Sequence, residues 1–249
     1  MKYSYLRNAW YFWLHRLIDA LYFERITVIH SERLPCSAPV LYLGLHRNGA
    51  VDGFVYLRVF RRPLFMISTQ LRKRWFARLF FYGIAVTRAK DEGDHSVNAA
   101  AMRECLEHLR NGGELFVFPE GTSSLGPRHL RLKSGAARLV LDYLSAGGPP
   151  LRVVPVGIYY ERPWAFRSKV EVLIGPPIST EIPAAATELE RVKEMRRRIQ
   201  GSLEQVGINV VSEQYHEMIE RLAYVATLGT PRSFSGGLKA LETPPSFVR

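Results

Sequence analysis

The sequence predicts a single α/β domain with a mixed, largely parallel sheet flanked by helices, preceded by an N-terminal amphipathic helical segment. Three observations predict it. Short runs rich in Val, Ile, Leu and aromatics alternate with stretches of helical periodicity through most of the chain. No repeat, low-complexity tract or long linker interrupts them. Finally, 249 residues with 47% apolar content suffice for a full core, and one domain is the simpler partition.

The elements follow in order. In "NAWYFWLHRLIDALYF", Trp10, Trp13, Leu14, Leu17, Ile18 and Leu21 recur at helical spacing and form one apolar stripe. His15, Arg16 and Asp19 interrupt it, so the run falls short of the ~18–20 apolar residues a bilayer crossing needs. No small-residue cleavage site follows. The stripe either packs on the core or lies in a membrane interface, the depth favoured by Trp and Tyr beside Arg. Candidate strands cover 40–45, 64–68, 83–87, 115–118, 153–159 and 170–174. Helical patterns cover 50–61, 71–81, 96–110 with Ser96 as N-cap and Gly112 past the end, and 132–145. Beyond "IGPPIS" come a charged helix over 186–205, containing "ERVKEMRRRI", and another over 211–228. Residues 229–249 carry Pro and Gly with little periodicity and are expected to form a loosely ordered tail. The expected organisation is therefore an interface helix over 1–24, the domain over 25–228 and the tail over 229–249.

Lys and Arg outnumber Asp and Glu by 34 to 23, a net charge of +11, so the partners should be anionic: phosphate-bearing small molecules, nucleic acid or an acidic membrane face. Cys36 and Cys105 lie far apart without C-x-x-C spacing, which argues against a disulfide framework or a zinc site and suits a reducing compartment.

Polar residues collect at strand ends. His46 follows the strand 40–45, Arg88 follows 83–87, and Pro119, Glu120, Gly121 and Thr122 follow 115–118. In open α/β sheets ligands bind outside the carboxyl ends of strands, so three segments converge on one rim. A His with a downstream Asp can act as a base and its orienting partner. On an unbroken helix positions six apart are about 240° from facing each other, so the pair needs a turn between its members. Asn48-Gly49 supplies it; with either residue as N-cap, Asp52 falls in the first helical turn and reaches back toward the strand end. Alone, the pair also fits a plainer reading, in which Asp52 complements the helix dipole and His46 is a hydrogen-bonded rim residue. "LFVFPEGTSS" is more specific: a carboxylate and a glycine at the mouth of an apolar strand, followed by three hydroxyl residues, can hold a polyol or phosphate through hydroxyls and backbone N–H groups.

These strings together resemble the glycerophospholipid acyltransferases, the family of the lysophosphatidic acid acyltransferases (1-acylglycerol-3-phosphate O-acyltransferases). "HRNGAVD" stands for that family's His-x4-Asp motif, "GIAVTR" for its second segment, "FPEGTSS" for Phe-Pro-Glu-Gly-Thr, and "VVPVGIYY" for the final Val-Pro-Val-Gly strand. The likeness covers about residues 25–180. Three departures stand out: five residues, not four, separate His46 from Asp52, Leu45 stands where the family usually has Asn, and Ser123 occupies a place where many members carry Arg.

The resemblance implies an O-acyltransferase of phospholipid biosynthesis or remodelling that moves a fatty acyl group from an acyl thioester, acyl-CoA or acyl-carrier protein, to a hydroxyl of a lysolipid or glycerolipid acceptor. It implies His46 as general base with Asp52 orienting its ring, and Arg88, Glu120, Gly121 and Thr122 as acceptor-binding residues. Asn48, Ser123 and Lys133 are further candidate site residues. Neither a metal nor a cofactor is expected. The basic, aromatic stretch "LRKRWFARLFFYG" fits docking to an anionic membrane surface. The expected location is the cytoplasmic face of a membrane, in peripheral or monotopic attachment, with no nucleic acid as partner. Two rivals are weighed. A lipid esterase or thioesterase would want a G-x-S-x-G elbow, which is absent from the sequence; a non-catalytic anionic-lipid-binding protein has no need of His and Glu at strand ends.

Overall fold

The computed structural model describes residues 13–14, 16–18, 20–37, 39–60, 63–69, 83–87, 96–183, 186–210 and 213–242. The helix expected over 71–81, with its basic residues, and the expected ligand Arg88 lie outside the described residues.

Seven strands form one sheet: β1 (Phe23–Ile29), β2 (Val40–Gly44), β3 (Leu64–Ser68), β4 (Gly83–Val86), β5 (Glu114–Val117), β6 (Arg152–Tyr160) and β7 (Ser168–Ile174). Their order across the sheet is β1-β7-β6-β2-β5-β3-β4. The run from β6 to β4 is parallel, whereas β7 pairs antiparallel with β6 and β1 pairs parallel with β7. The sheet is therefore mixed and largely parallel, as the alternating pattern predicts. The helices that follow are α1 (Ala50–Val59), α2 (Ser96–Arg110), α3 (Gly135–Ser145), α4 (Glu188–Val206), α5 (Glu213–Thr227) and α6 (Phe234–Glu242), and residues 13–14, 16–18 and 20–22 ahead of β1 are helical as well. Of these, α2 packs on β4 and β5, α4 packs on β6 and β2, and α3 lies between α2 and α4.

The central strands are apolar because both of their faces are covered. All of β2 is buried, as is β6 from Val153 to Tyr160. Two glycines permit close approach. A Cβ on Gly44 would fall 2.2 Å from the Phe116 ring, and one on Gly157 would fall 1.8 Å from the Val206 carbonyl oxygen at the end of α4. Helix α4 starts on a capping box: the Thr187 hydroxyl accepts from the Glu190 N–H while the Glu190 carboxylate accepts from the Thr187 N–H.

Two parts of the fold depart from the sequence reading. Residues 23–29 form β1, a strand the pattern did not predict. It is an edge strand with Glu24, Arg25 and Thr27 exposed, so its composition is too polar to register as an apolar run. The expected loose tail is corrected as well, because residues 234–242 are the helix α6. Phe234 and Leu238 are buried, and the Glu171 carboxylate of β7 accepts from the N–H groups of Phe234 and Ser235 and from the Ser233 hydroxyl. This distant carboxylate adds to a local cap, the Ser233 hydroxyl, which accepts from the Gly236 N–H at 3.1 Å.

The two thiols have opposite surroundings. Cys36 is exposed, while Cys105 is buried in α2 and its thiol is pushed up to about 12 by that burial. Under native conditions at neutral pH, one equivalent of iodoacetamide is therefore expected to react, at Cys36, and two after denaturation. Peptide mapping checks this; native labelling of Cys105 would contradict the packing of α2.

Candidate active site

Parallel register brings the ends of β2, β5 and β6 to one rim. Leu43 aligns with Val117 on one side and with Pro155 on the other. His46 and Glu120 each lie three residues beyond the aligned pair Leu43 and Val117, and therefore emerge side by side. Two hydrogen bonds tie the emerging segments: the His46 N–H donates to Glu120 Oε2 at 3.3 Å, and the Ser124 N–H donates to the His46 carbonyl at 2.9 Å.

The turn between His46 and Asp52 is made by Gly49, the N-cap of α1, with φ 56°. That left-handed value favours glycine. Asp52 consequently sits in the first turn of α1 and its carboxylate reaches back over the turn. Oδ2 accepts from the Asn48 N–H at 2.8 Å and from His46 Nδ1 at 2.8 Å. Oδ1 accepts from the Tyr160 hydroxyl at 2.6 Å. Asp52 is 0% exposed, and a buried carboxylate is tolerated where donors surround it. As an acceptor-only group it fixes the imidazole tautomer: Nδ1 carries the proton and Nε2 presents a lone pair. The ring is further held by Phe118, stacked at 4.1 Å between centroids and 19° between planes. Nearby, the Tyr56 hydroxyl donates to the Leu45 carbonyl at 2.8 Å and fixes the strand end. Burial, reinforced by the charge of Asp52, holds the hydroxyls of Tyr56 and Tyr160 well above the ordinary tyrosine range, so both remain donors.

The β5 loop has a complementary construction. Glu120 is buried; Oε2 takes the His46 N–H and Oε1 takes the Leu130 N–H at 3.0 Å. Each of its oxygens thus accepts one backbone N–H of the segments that form the rim. Gly121 has φ 70°, and a Cβ there would lie 2.9 Å from Lys133 Nζ. The Lys133 N–H in turn donates to the Pro119 carbonyl at 2.9 Å. An exposed ammonium group thus stands over the glycine of the loop.

Of the residues singled out in the sequence, the structure brings His46, Asn48, Asp52, Glu120, Gly121 and Lys133 together, with half-buried Thr122 and exposed Ser123 in the same loop. The Ser123 hydroxyl would be 3.8 Å from a Cβ on Gly49. Sequence reasoning missed three contributors. Tyr160, 108 residues from Asp52, ends the strand beside β2; an aromatic hydroxyl at the carboxyl end of a buried strand was the available signal. Arg47 is largely buried, which lowers its guanidinium pKa against the opposing pull of Glu120 and Asp52, and it donates to the Gly126 carbonyl at 2.7 Å. His129 has its Nδ1 3.8 Å from Glu120 Oε1. Replacing Tyr160 with Phe removes one donor from the buried carboxylate and should cost about 1–3 kcal/mol of stability. Thermal unfolding beside kinetics measures this, and an unchanged Tm would show that Asp52 does not rely on that bond.

A family model described as Acyltransferase matches residues 25–159, more than half of the chain. The chain belongs to the acyltransferase family. It is 36% identical over 104 residues to an uncharacterized acyltransferase of Schizosaccharomyces pombe, a match covering 41% of this chain and 15% of that protein. It is 34% identical over 83 residues to glycerol-3-phosphate O-acyltransferase 2 of Saccharomyces cerevisiae, covering 32% of this chain and 11% of the relative. The chain therefore spans a small part of the length of these relatives. Among solved structures, the 1-acyl-sn-glycerophosphate acyltransferase PlsC of Thermotoga maritima shares the fold, with a TM-score of 0.53 and 22% identity over 81% of this chain and 80% of that one.

Proposed function

We propose that the protein transfers a fatty acyl group from an acyl thioester, acyl-CoA or acyl-carrier protein, to a hydroxyl of a lysophospholipid or related glycerolipid. The observation that carries this reading is the 2.8 Å contact of His46 Nδ1 with buried Asp52, made next to the Gly121 loop. Nε2 removes the proton of the acceptor hydroxyl as its oxygen attacks the thioester carbonyl; Asp52 stabilises the imidazolium that forms, and the proton passes to the departing thiolate. One C–O bond forms and one C–S bond breaks, and no acyl-enzyme is required. In this reading Gly121, Thr122 and the Lys133 ammonium receive the polar, anionic end of the acceptor, and the closeness of Lys133 to Gly121 supports it. In this reading the thioester is a co-substrate and no cofactor takes part. The relatives named as glycerol-3-phosphate O-acyltransferases support an acceptor of the glycerol phosphate type.

The test is an acceptor panel with one long-chain acyl-CoA: glycerol 3-phosphate, lysophosphatidic acid, other lysolipids and phosphate-free monoacylglycerol. Phosphate-bearing glycerolipids are expected to be acylated fastest, and Lys133→Ala should raise their KM by about ten-fold with little change in kcat. Equal use of monoacylglycerol would overturn the anionic-acceptor reading.

A further inference from the structure

Opposite in character to the polar rim, the turn between β6 and β7 exposes large apolar side chains. Trp164 is 77% and Phe166 65% exposed. The N-terminal helical segment does the same: Trp13, Leu17 and Leu21, spaced by four residues on one helix face, are 69%, 58% and 59% exposed. These two segments are bound to each other. Arg167, itself at φ 60°, donates from Nη1 to the Ala20 carbonyl at 3.1 Å and from its N–H to the Tyr22 carbonyl at 2.8 Å. The rings of Tyr22 and Phe166 meet edge to face at 6.0 Å. The turn is also bound to the candidate site, because Asn48 Nδ2 donates to the Pro163 carbonyl at 2.7 Å, while the Asn48 N–H donates to Asp52.

We infer that the β6–β7 turn, through Trp164 and Phe166, is a membrane-interface anchor that works with the N-terminal segment and seats the His46 site against an anionic lipid surface. It rests on the lipid-acceptor reading for its purpose and not for its geometry. Charge supports this occupant. Arg162 and Arg167 are exposed in the turn, while the neighbouring carboxylates of Glu24 and Glu161 face Lys169 at 3.8 Å each. The surface next to the aromatic residues is therefore basic, in a chain of net charge +11. Two exposed tryptophans among arginines have the composition of an element at headgroup depth. None of the helices in the described residues is long and apolar enough to cross a membrane, so attachment through this patch is interfacial. Asn48 couples the two functions: the residue that donates to the catalytic carboxylate also holds the anchoring turn, so docking and the base share one support.

The experiment compares the full chain with a Trp164→Ser, Phe166→Ser double variant. Sedimentation with vesicles of phosphatidylcholine mixed with phosphatidylglycerol reads docking; acyl transfer to a vesicle-embedded lysolipid and to water-soluble glycerol 3-phosphate reads the consequence. The variant is expected to lose vesicle affinity by about ten-fold or more, and to raise the apparent KM for the embedded acceptor with the soluble one unchanged. Both side chains are mostly exposed, so the fold should be retained, and a thermal melt separates lost docking from the loss of the Phe166–Tyr22 contact. Wild-type vesicle binding that survives in the variant would overturn the inference. So would a wild-type dimer, seen by light scattering, that the double substitution dissolves, because the patch would then be covered by a second copy. A chain that docks through these residues yet transfers no acyl group would sink the functional proposal and leave the anchor standing.

Discussion

Replacing His46 with Ala is expected to lower kcat/KM for acyl transfer by ~10²–10⁴-fold with the fold retained. The size follows from the role: among the described residues, His46 is the one imidazole at the rim whose ring hydrogen-bonds a buried carboxylate, at 2.8 Å, whereas His129 Nδ1 stays 3.8 Å from Glu120. Retention of the fold follows from the hydrogen bonds left in place. Asp52 keeps the Asn48 N–H and the Tyr160 hydroxyl, so the buried charge is not stripped of partners. The imidazole is partly exposed, with 19% of its side-chain surface accessible, and its backbone bonds to Glu120 and Ser124 do not involve the side chain that is lost. Steady-state kinetics beside a thermal melt separates the two effects. A variant that melts normally and still transfers acyl groups at the wild-type rate would remove His46 from the chemistry.

Asp52→Asn is expected to lower kcat/KM by about 10³–10⁴-fold and also to destabilise the protein by about 1–3 kcal/mol. The carboxamide matches the carboxylate in shape but exchanges one acceptor oxygen for an NH2 donor. Three donors now converge on Asp52: His46 Nδ1, the Asn48 N–H and the Tyr160 hydroxyl. With an amide, at least one buried donor faces another donor, or the imidazole changes tautomer and turns its proton toward the acceptor. A purely structural role for Asp52 would move Tm alone. The catalytic role predicts a fall in kcat with KM nearly unchanged, and that split distinguishes the two.

The site was legible where chemistry and local geometry lie in one segment. His46, the Asn48-Gly49 turn and Asp52 form a continuous string, and helix periodicity alone demanded a bend between the acid and the base. The Glu120 loop was legible because its composition is specific. Its carboxylate, however, turns inward to two backbone N–H groups, and a sequence does not show which way a side chain points at a strand end. Tyr160 and Pro163 reach Asp52 and Asn48 across more than a hundred residues, through strand adjacency that no local pattern encodes. The same logic separates the elements. Strands such as β2 and β6, buried on both faces, read as apolar runs, whereas β1 at the sheet edge carries charge on its exposed positions. The charged helix α4 was visible, whereas the start of α6 joins a local Ser233 cap to Glu171, sixty-three residues before Phe234, a contact no local pattern encodes.

Five residues separate His46 from Asp52, and Gly49 in the left-handed region makes the bend that lets Asp52 meet the imidazole from the first turn of α1. A residue with a side chain at position 49 would resist that conformation and loosen the pair.

The most direct measurement follows acyl-CoA consumption by the full chain with and without a glycerolipid alcohol, quantifying free thiol, free fatty acid and acylated product together. A base directed at a bound acceptor hydroxyl predicts thiol release that depends on the alcohol and equals the ester formed, and that His46→Ala abolishes. Thiol release at the same rate without the alcohol, with free fatty acid as the product, would show that water is the acceptor and would contradict acyl transfer at this site.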